Sequence, residues 1–208
     1  PNSWIVNDKV NLWLRVPTKV YLTAGQSNSV GFGEQSELPY SLTDGTSIEN
    51  VQYWGVNDTQ WSSITPGSTN ASVYFGYELP LAHLISNDNG STGTPSILNK
   101  YVIKYASGGT NLHTQWNPNA SSGNNQWQTW VQTVTNALST FNKPYQVVGM
   151  AWMQGESDAN STHASNYETN LNNLISSMRT IVGFPKMYFA IGKIFMPNGN
   201  QTYVNIVR

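Results

Sequence analysis

The sequence predicts a three-layer α/β domain, a mostly parallel sheet wound with helices on both faces, and three observations lead to it. Five short apolar runs read as strands, most of them without the apolar/polar alternation of a half-exposed strand. Between them lie amphipathic segments with three-and-four spacing. The order strand, loop, helix then repeats along the chain, as a sheet covered by crossover helices requires. At 208 residues the chain has the length of one ordinary domain.

Residues 1–17, PNSWIVNDKVNLWLRVP, carry tryptophans before a proline and are expected to form an N-terminal edge segment or linker, with the domain itself over 18–208. The first strand is KVYLTAG (19–25), rich in β-formers and stopped by Gly25. NVQYW (50–54) is the second, set between polar loops at 33–48 and 57–72. YFGYELPLAHLISN (74–87) reads as a helix despite Pro80 in its middle. KYVIKYAS (100–107) is the third strand, followed by a Gly/Ser/Asn-rich loop over 110–125. Trp127, Trp130, Val131, Val134, Leu138 and Phe141 mark one helix face. YQVVGMAWM (145–153) is the fourth strand, and Tyr167, Leu171, Leu174, Ile175, Met178 and Ile181 mark a second helix that Gly183 and Pro185 end. KMYFAIGKI (186–194) is the fifth strand, and YVNIVR opens another helix.

Composition excludes several function classes. Only 10% of residues are charged and the net charge is -1, too little positive field for nucleic acid or an anionic membrane as partner. The absence of cysteine removes disulfides, thiolate chemistry and cysteine-based metal sites. No stretch approaches the roughly 20 apolar residues that span a bilayer. The chain begins at Pro1 and stops early in a helix, so it is expected to be processed, or part of a larger polypeptide or particle. Its Asn, Ser, Thr and Trp bias at low charge is typical of extracellular, cell-surface or virion-associated proteins that handle sugars.

Ligands of an open parallel sheet bind beyond the carboxyl ends of the strands, and three loops there are unusual. In GQSNSVG (25–31), Gly25 permits a sharp turn that puts Ser27 at a helix start. Backbone N–H groups there suit a nucleophile whose attack creates an oxyanion; the alternative is that Ser27 only caps the helix. In YASGGTNLHTQW (105–116), Gly108 or Gly109 can present an N–H to an oxyanion, or form an ordinary turn. Trp116 either stacks on a sugar face or packs in the core. In AWMQGESDA (151–159) an apolar strand ends in a polar cluster. Gln154 there can donate side-chain hydrogen bonds to an oxyanion, and Glu156 can hold neighbouring loops by accepting backbone bonds.

Taken together and in this order, GQSNSVG, ASGGTNL followed by Trp116, and WMQGESDA resemble the SGNH-type carbohydrate esterases, in the sialate O-acetylesterase and acetylxylan esterase branch. The resemblance covers 18–208 and implies a flavodoxin-like sheet, the SGNH hydrolase fold. It implies a serine that removes acetyl groups from an acetylated carbohydrate, with no metal and no other cofactor. Ser27 is then the nucleophile and one oxyanion donor through its N–H, Gly108 or Gly109 the second donor and Gln154 the third, with Gln26, Asn28 and Glu156 in support. The family draws its general base from an Asp-x-x-His segment near the C-terminus. No Asp-x-x-His occurs in these 208 residues, so the segment is expected beyond Arg208. Of the three histidines, His83 reads as a packed or surface residue and His163 as part of a solvated face; His113 alone lies on an active-edge loop, where it could substitute as base if the Asp-x-x-His segment does not serve.

Two other functions compete. A carbohydrate-binding or structural module on an esterase scaffold, as in a phage tail or surface protein, fits the missing base. A glycoside hydrolase using Glu156 and Asp158 needs carboxyl groups facing each other across a sugar, and these stand one residue apart in one loop.

Overall fold

The structure is a computed structural model and describes residues 17–39, 48–67, 74–87 and 100–208. The expected N-terminal edge segment, apart from Pro17, lies outside the described residues, as do 40–47 and 68–72 of the polar loops. In chain order the strands are β1 (Thr18–Gly25), β2 (Gly33–Glu34), β3 (Val51–Trp54), β4 (Ser62–Ser63), β5 (Tyr74–Phe75), β6 (Lys100–Ala106), β7 (Tyr145–Met153) and β8 (Tyr188–Ile191). The helices are α1 (Ser27–Val30), α2 (Glu78–Ser86), α3 (Asn125–Ser139), α4 (Tyr167–Val182) and α5 (Gln201–Val207).

Six strands among the described residues form one sheet in the order β4-β3-β6-β1-β7-β8, parallel throughout except for β4 against β3. Counted in chain order, the five parallel strands β1, β3, β6, β7 and β8 run second, third, first, fourth, fifth across the sheet, a doubly wound arrangement that reverses at β1. The pair β3·β4 extends the edge beyond β6, and β2 with β5 makes a separate two-stranded ribbon.

Alternate residues of each strand feed opposite cores. Trp54 and Ile103 join the cluster built with Trp127 and Trp130 of α3, Leu174 and Met178 of α4 and Val204 of α5. Their neighbours Tyr53 and Val102 join Leu79, Ala82 and Ile85 of α2 on the other face. Helices therefore cover both faces, which gives the three layers. Leu174 and Met178 are fully buried, contributing roughly 2–3 kcal/mol each.

Two elements differ from the sequence expectation. The helix expected over 74–87 starts only at Glu78, because Tyr74 and Phe75 pair with β2. Pro80 thus falls in the first helical turn, where its missing N–H has no partner to lose. The fifth strand, expected over 186–194, is confined to Tyr188–Ile191 and lies at the sheet edge with Tyr188 and Ile191 exposed. Its apolar run is not covered on both faces by the described residues. Elsewhere the match is close: β7 spans the expected residues, and α4 ends at Gly183, whose backbone is left-handed.

Candidate active site

Gly25, the last residue of β1, lies opposite Ala106 of β6 and Met153 of β7. One further rung closes above it: Gln26 N–H donates to the Met153 carbonyl at 3.0 Å, and Ser107 N–H to the Gly25 carbonyl at 3.1 Å. The three unusual loops therefore leave the sheet at one level on adjacent strands, roughly 4.8 Å apart. This is where the winding reverses, since β6 lies on one side of β1 and β7 on the other.

The chain turns out of β1 at Gly25, with φ 146°. A Cβ there would lie 2.0 Å from the Met153 carbonyl oxygen and 2.4 Å from Ser29 Oγ, so only glycine fits. The next turn separates the two serines by function. Ser29 is fully buried, and its hydroxyl contacts the carbonyls of Ala24 (2.9 Å) and Met153 (3.0 Å) and the hydroxyl of Tyr77 (3.2 Å). Ser27 is half-buried, and its hydroxyl makes no hydrogen bond among the described residues. It does not cap the helix either: Gln26 is the N-cap and offers no side-chain cap. The N–H groups of Ser27 and Asn28 are also uncommitted among the described residues.

The QGESD segment packs against this turn. Asn28 Nδ2 donates to Glu156 Oε1 at 2.5 Å, while Glu156 Oε2 is buried with no partner. Gln26, 3% exposed, turns its Oε1 toward Gln154 Nε2 (3.2 Å) and the N–H groups of Gly155 (3.4 Å) and Ser157 (3.3 Å). Gln154 Nε2 also donates to the Thr110 carbonyl at 3.0 Å and to Asp158 Oδ2 at 2.6 Å. Its Oε1 and its carbonyl accept from the Tyr167 hydroxyl at 3.2 and 2.7 Å. Both amide hydrogens of Gln154 are thus engaged inside the protein, where the sequence expectation had them pointing at an oxyanion.

Asp158, 1% exposed, holds the β6 loop to the β7 loop, accepting from Leu112 N–H at 2.7 Å and His113 N–H at 2.9 Å besides Gln154. Glu156 thus holds the β1 turn through the Asn28 side chain, while the backbone bonds expected of it are made by Asp158. The engagement of Asp158 also argues against the glycoside hydrolase, because a buried carboxylate satisfied by three donors does not flank a sugar. Burial, with the negative charges of Asp158 and Glu156 adding, pushes the Tyr167 phenol far above the ordinary tyrosine range.

Gly108 and Gly109 are exposed, and a Cβ on either would meet nothing within 4 Å. Their N–H groups form no hydrogen bond among the described residues. His113 does not face an empty cleft: its ring stacks on His163 with centroids 4.3 Å apart and planes 6° from parallel, and its Nδ1 is buried without a partner. His163, expected on a solvated face, has Nδ1 3.3 Å from Asn160 Nδ2 and 3.7 Å from Asp158 Oδ1. Trp116 is fully buried against Trp152 and Tyr105, with Nε1 donating to Thr110 Oγ1 at 2.8 Å. It presents no face to a sugar, so packing is its role.

The sequence thus missed Asp158 as the loop anchor, Tyr167 as the cover of Gln154, and Ser29 with Tyr77 beneath the turn. What the loops offer chemically is a Ser27 hydroxyl and, on the same turn and on the neighbouring β6 loop, backbone N–H groups that form no hydrogen bond among the described residues.

The family model described as "SASA: Carbohydrate esterase, sialic acid-specific acetylesterase" matches residues 17–208. No curated protein matches the chain in sequence. Among solved structures, the fold is similar to a protein from Arabidopsis thaliana, with TM-score 0.71 and 17% identity over 92% of this chain and 79% of that one. It is also similar to a carbohydrate acetylesterase from Xanthomonas citri, with TM-score 0.61 and 19% identity over 90% of this chain and 45% of that one. NanS follows, with TM-score 0.65 and 16% identity over 91% of this chain and 72% of that one. At such identities the likeness speaks for a common α/β fold. The family match spans nearly the whole chain, including all three loops of the rim, and on it the chain belongs to the carbohydrate esterase family of sialic acid-specific acetylesterases.

Proposed function

We propose that the protein is a serine esterase that removes O-acetyl groups from a carbohydrate through an acetyl-enzyme, with Ser27 as nucleophile. The observation that carries this reading is the division between the two serines of the first turn. Ser29 is consumed by structure, while Ser27 keeps a free hydroxyl beside free N–H groups. Ser27 Oγ attacks the acetyl carbonyl carbon, and its proton passes to a histidine. The oxyanion is received by the N–H of Ser27 and that of Gly108 or Gly109, donors with no competing hydrogen bond among the described residues. Collapse returns the proton to the leaving sugar oxygen, and water then releases acetate. His113 is the histidine on these loops. The 208 residues contain no Asp-x-x-His motif of the kind the resemblance assigns to the base.

Gln154 takes a different part from that of a free donor. Held by Asp158, Thr110 and Gln26, it joins the three loops and fixes their spacing. Gly108, Gly109 and Asn28 are exposed, so a substituent carried on a large polymer can reach them as readily as a small ligand. An extracellular or particle-surface setting accords with such a substrate. The engaged state of Gln154 and the stacking of His113 favour a second reading, a sugar-binding module without turnover. Acetate release from p-nitrophenyl acetate and from an acetylated polysaccharide separates the two: the esterase reading expects release that Ser27→Ala abolishes, and equal rates would remove Ser27 from the mechanism.

A further inference from the structure

Four residues cannot hold a helical turn by themselves, and α1 has no side-chain cap. A buried polar cluster on the α2 face of the sheet supplies the support. Lys104 of β6, 4% exposed, places Nζ 2.8 Å from the carbonyl oxygen of Val30, the last residue of α1, and 2.7 Å from Oε2 of Glu78. Glu78, 1% exposed, opens α2, and its Oε1 accepts from Gly76 N–H at 3.1 Å. Gly76 backs directly onto Gly31, where a Cβ would lie 2.4 Å from Gly76 Cα. Tyr77, between them, contacts Ser29 Oγ at 3.2 Å and the carbonyls of Ala24 and Ala151 at 3.2 and 3.1 Å. Residues 76–78 and Lys104 therefore touch each of Ser29, Val30 and Gly31.

We infer that the buried Lys104–Glu78 ion pair is a positioning device for the nucleophile: it clamps the carboxyl end of α1 and so fixes the direction of the Ser27 hydroxyl and N–H. This rests on the reading of Ser27 as nucleophile. Two considerations set the pair apart from ordinary structural support. A buried ion pair is a poor source of stability, since replacing both partners by well-packed apolar side chains of similar volume is often neutral or stabilising. Burial also opposes the charge here, drawing the Lys104 ammonium below the ordinary lysine range with Glu78 only partly offsetting it. What the ammonium does supply is a charged donor at the Val30 carbonyl, where a helix end favours a cation and where no residue of α1 can provide one.

The test compares the parent protein with Lys104→Met/Glu78→Gln, which removes both charges together and keeps an acceptor for Gly76 N–H. Met178→Ala in the α4 core is the control for general destabilisation. Acetyl-ester turnover and the rate of covalent labelling of Ser27 by a fluorophosphonate are measured well below every Tm. Displacing a catalytic group by about 1 Å costs on the order of 10²-fold, so kcat and the labelling rate of the double variant are expected to fall roughly 10- to 100-fold. KM should stay within about two-fold, and Met178→Ala should keep parental kcat. A double variant that labels and turns over like the parent, or no worse than Met178→Ala, overturns the inference, as does a change confined to KM. If the parent does not label at Ser27, the nucleophile reading fails first and takes the inference with it.

Discussion

Asp158→Asn isolates the residue that ties two rim loops together. Asp158 Oδ2 accepts from Leu112 N–H and Gln154 Nε2, and Oδ1 from His113 N–H. Hydrogen bonds to a charged group are worth about 1.5–3 kcal/mol each, roughly twice a neutral bond. An asparagine whose amide oxygen replaces Oδ2 keeps two of the three bonds in weakened form and sets an NH₂ against the His113 N–H. The cost is about 3–5 kcal/mol, because one buried donor is left unsatisfied and two charge-assisted bonds become neutral. At about 2–4 °C per kcal/mol for a domain of this size, Tm should fall by roughly 6–20 °C in thermal unfolding followed by circular dichroism. Glu156→Gln, on a half-buried side chain whose one hydrogen bond among the described residues comes from Asn28, should cost less than Asp158→Asn, because a single charge-assisted bond becomes neutral and no donor is stranded. An Asp158→Asn protein within about 1 kcal/mol of the parent would refute the reasoning, since the three bonds would then carry no net free energy.

Other predictions bear on the turn, the glycines and the phenols. Ser29→Ala should cost about 1–3 kcal/mol of stability, measured by denaturant titration, whereas Ser27→Ala should change stability by less than about 0.5 kcal/mol. Gly108→Ala has open space around the new methyl, so folding should be unchanged while esterase rate falls about 10²-fold through blocked approach to the N–H. Gly25→Ala, meeting the Met153 carbonyl at 2.0 Å, should yield no soluble folded protein on expression. Burial is the largest cause pushing the phenols of Tyr53, Tyr77 and Tyr167 far above the ordinary 10.0. The folded chain keeps these protons where the unfolded chain loses them, so their stabilisation is complete below about pH 10 and declines above it, by about 1.4 kcal/mol per pH unit for each phenol. Denaturant titrations between about pH 10.5 and 12 should show that decline, with a shallower slope in Tyr167→Phe; a flat profile would contradict it.

The layers were legible because strands inside a covered sheet leave unbroken apolar runs, as in VVGMAWM (147–153), and helices buried on one side leave three-and-four spacing, as in α3 and α4. The rim was legible because each of its loops begins where such a run stops at glycine or a polar cluster. What escaped depends on contacts between distant parts of the chain. Glu156 and Asp158 are interchangeable as letters, and a single turn of 3₁₀ helix decides that Asp158 points inward to Leu112 and His113. Trp116 has the same propensity to stack on a sugar as to pack, and the Trp152 ring beside it settles the matter. His113 and His163 meet only through the folded loops, and the exposure of β8 follows from its place at the sheet edge rather than from its composition.

The most direct measurement of the central claim is peptide mapping by mass spectrometry of the protein quenched in acid during turnover of an acetyl ester. The account predicts an acetyl group on the peptide carrying Ser27, absent from Ser27→Ala and from unreacted protein. Acetate release at parental rate by Ser27→Ala, or an acetyl group found on a different residue that competes kinetically with turnover, would contradict it.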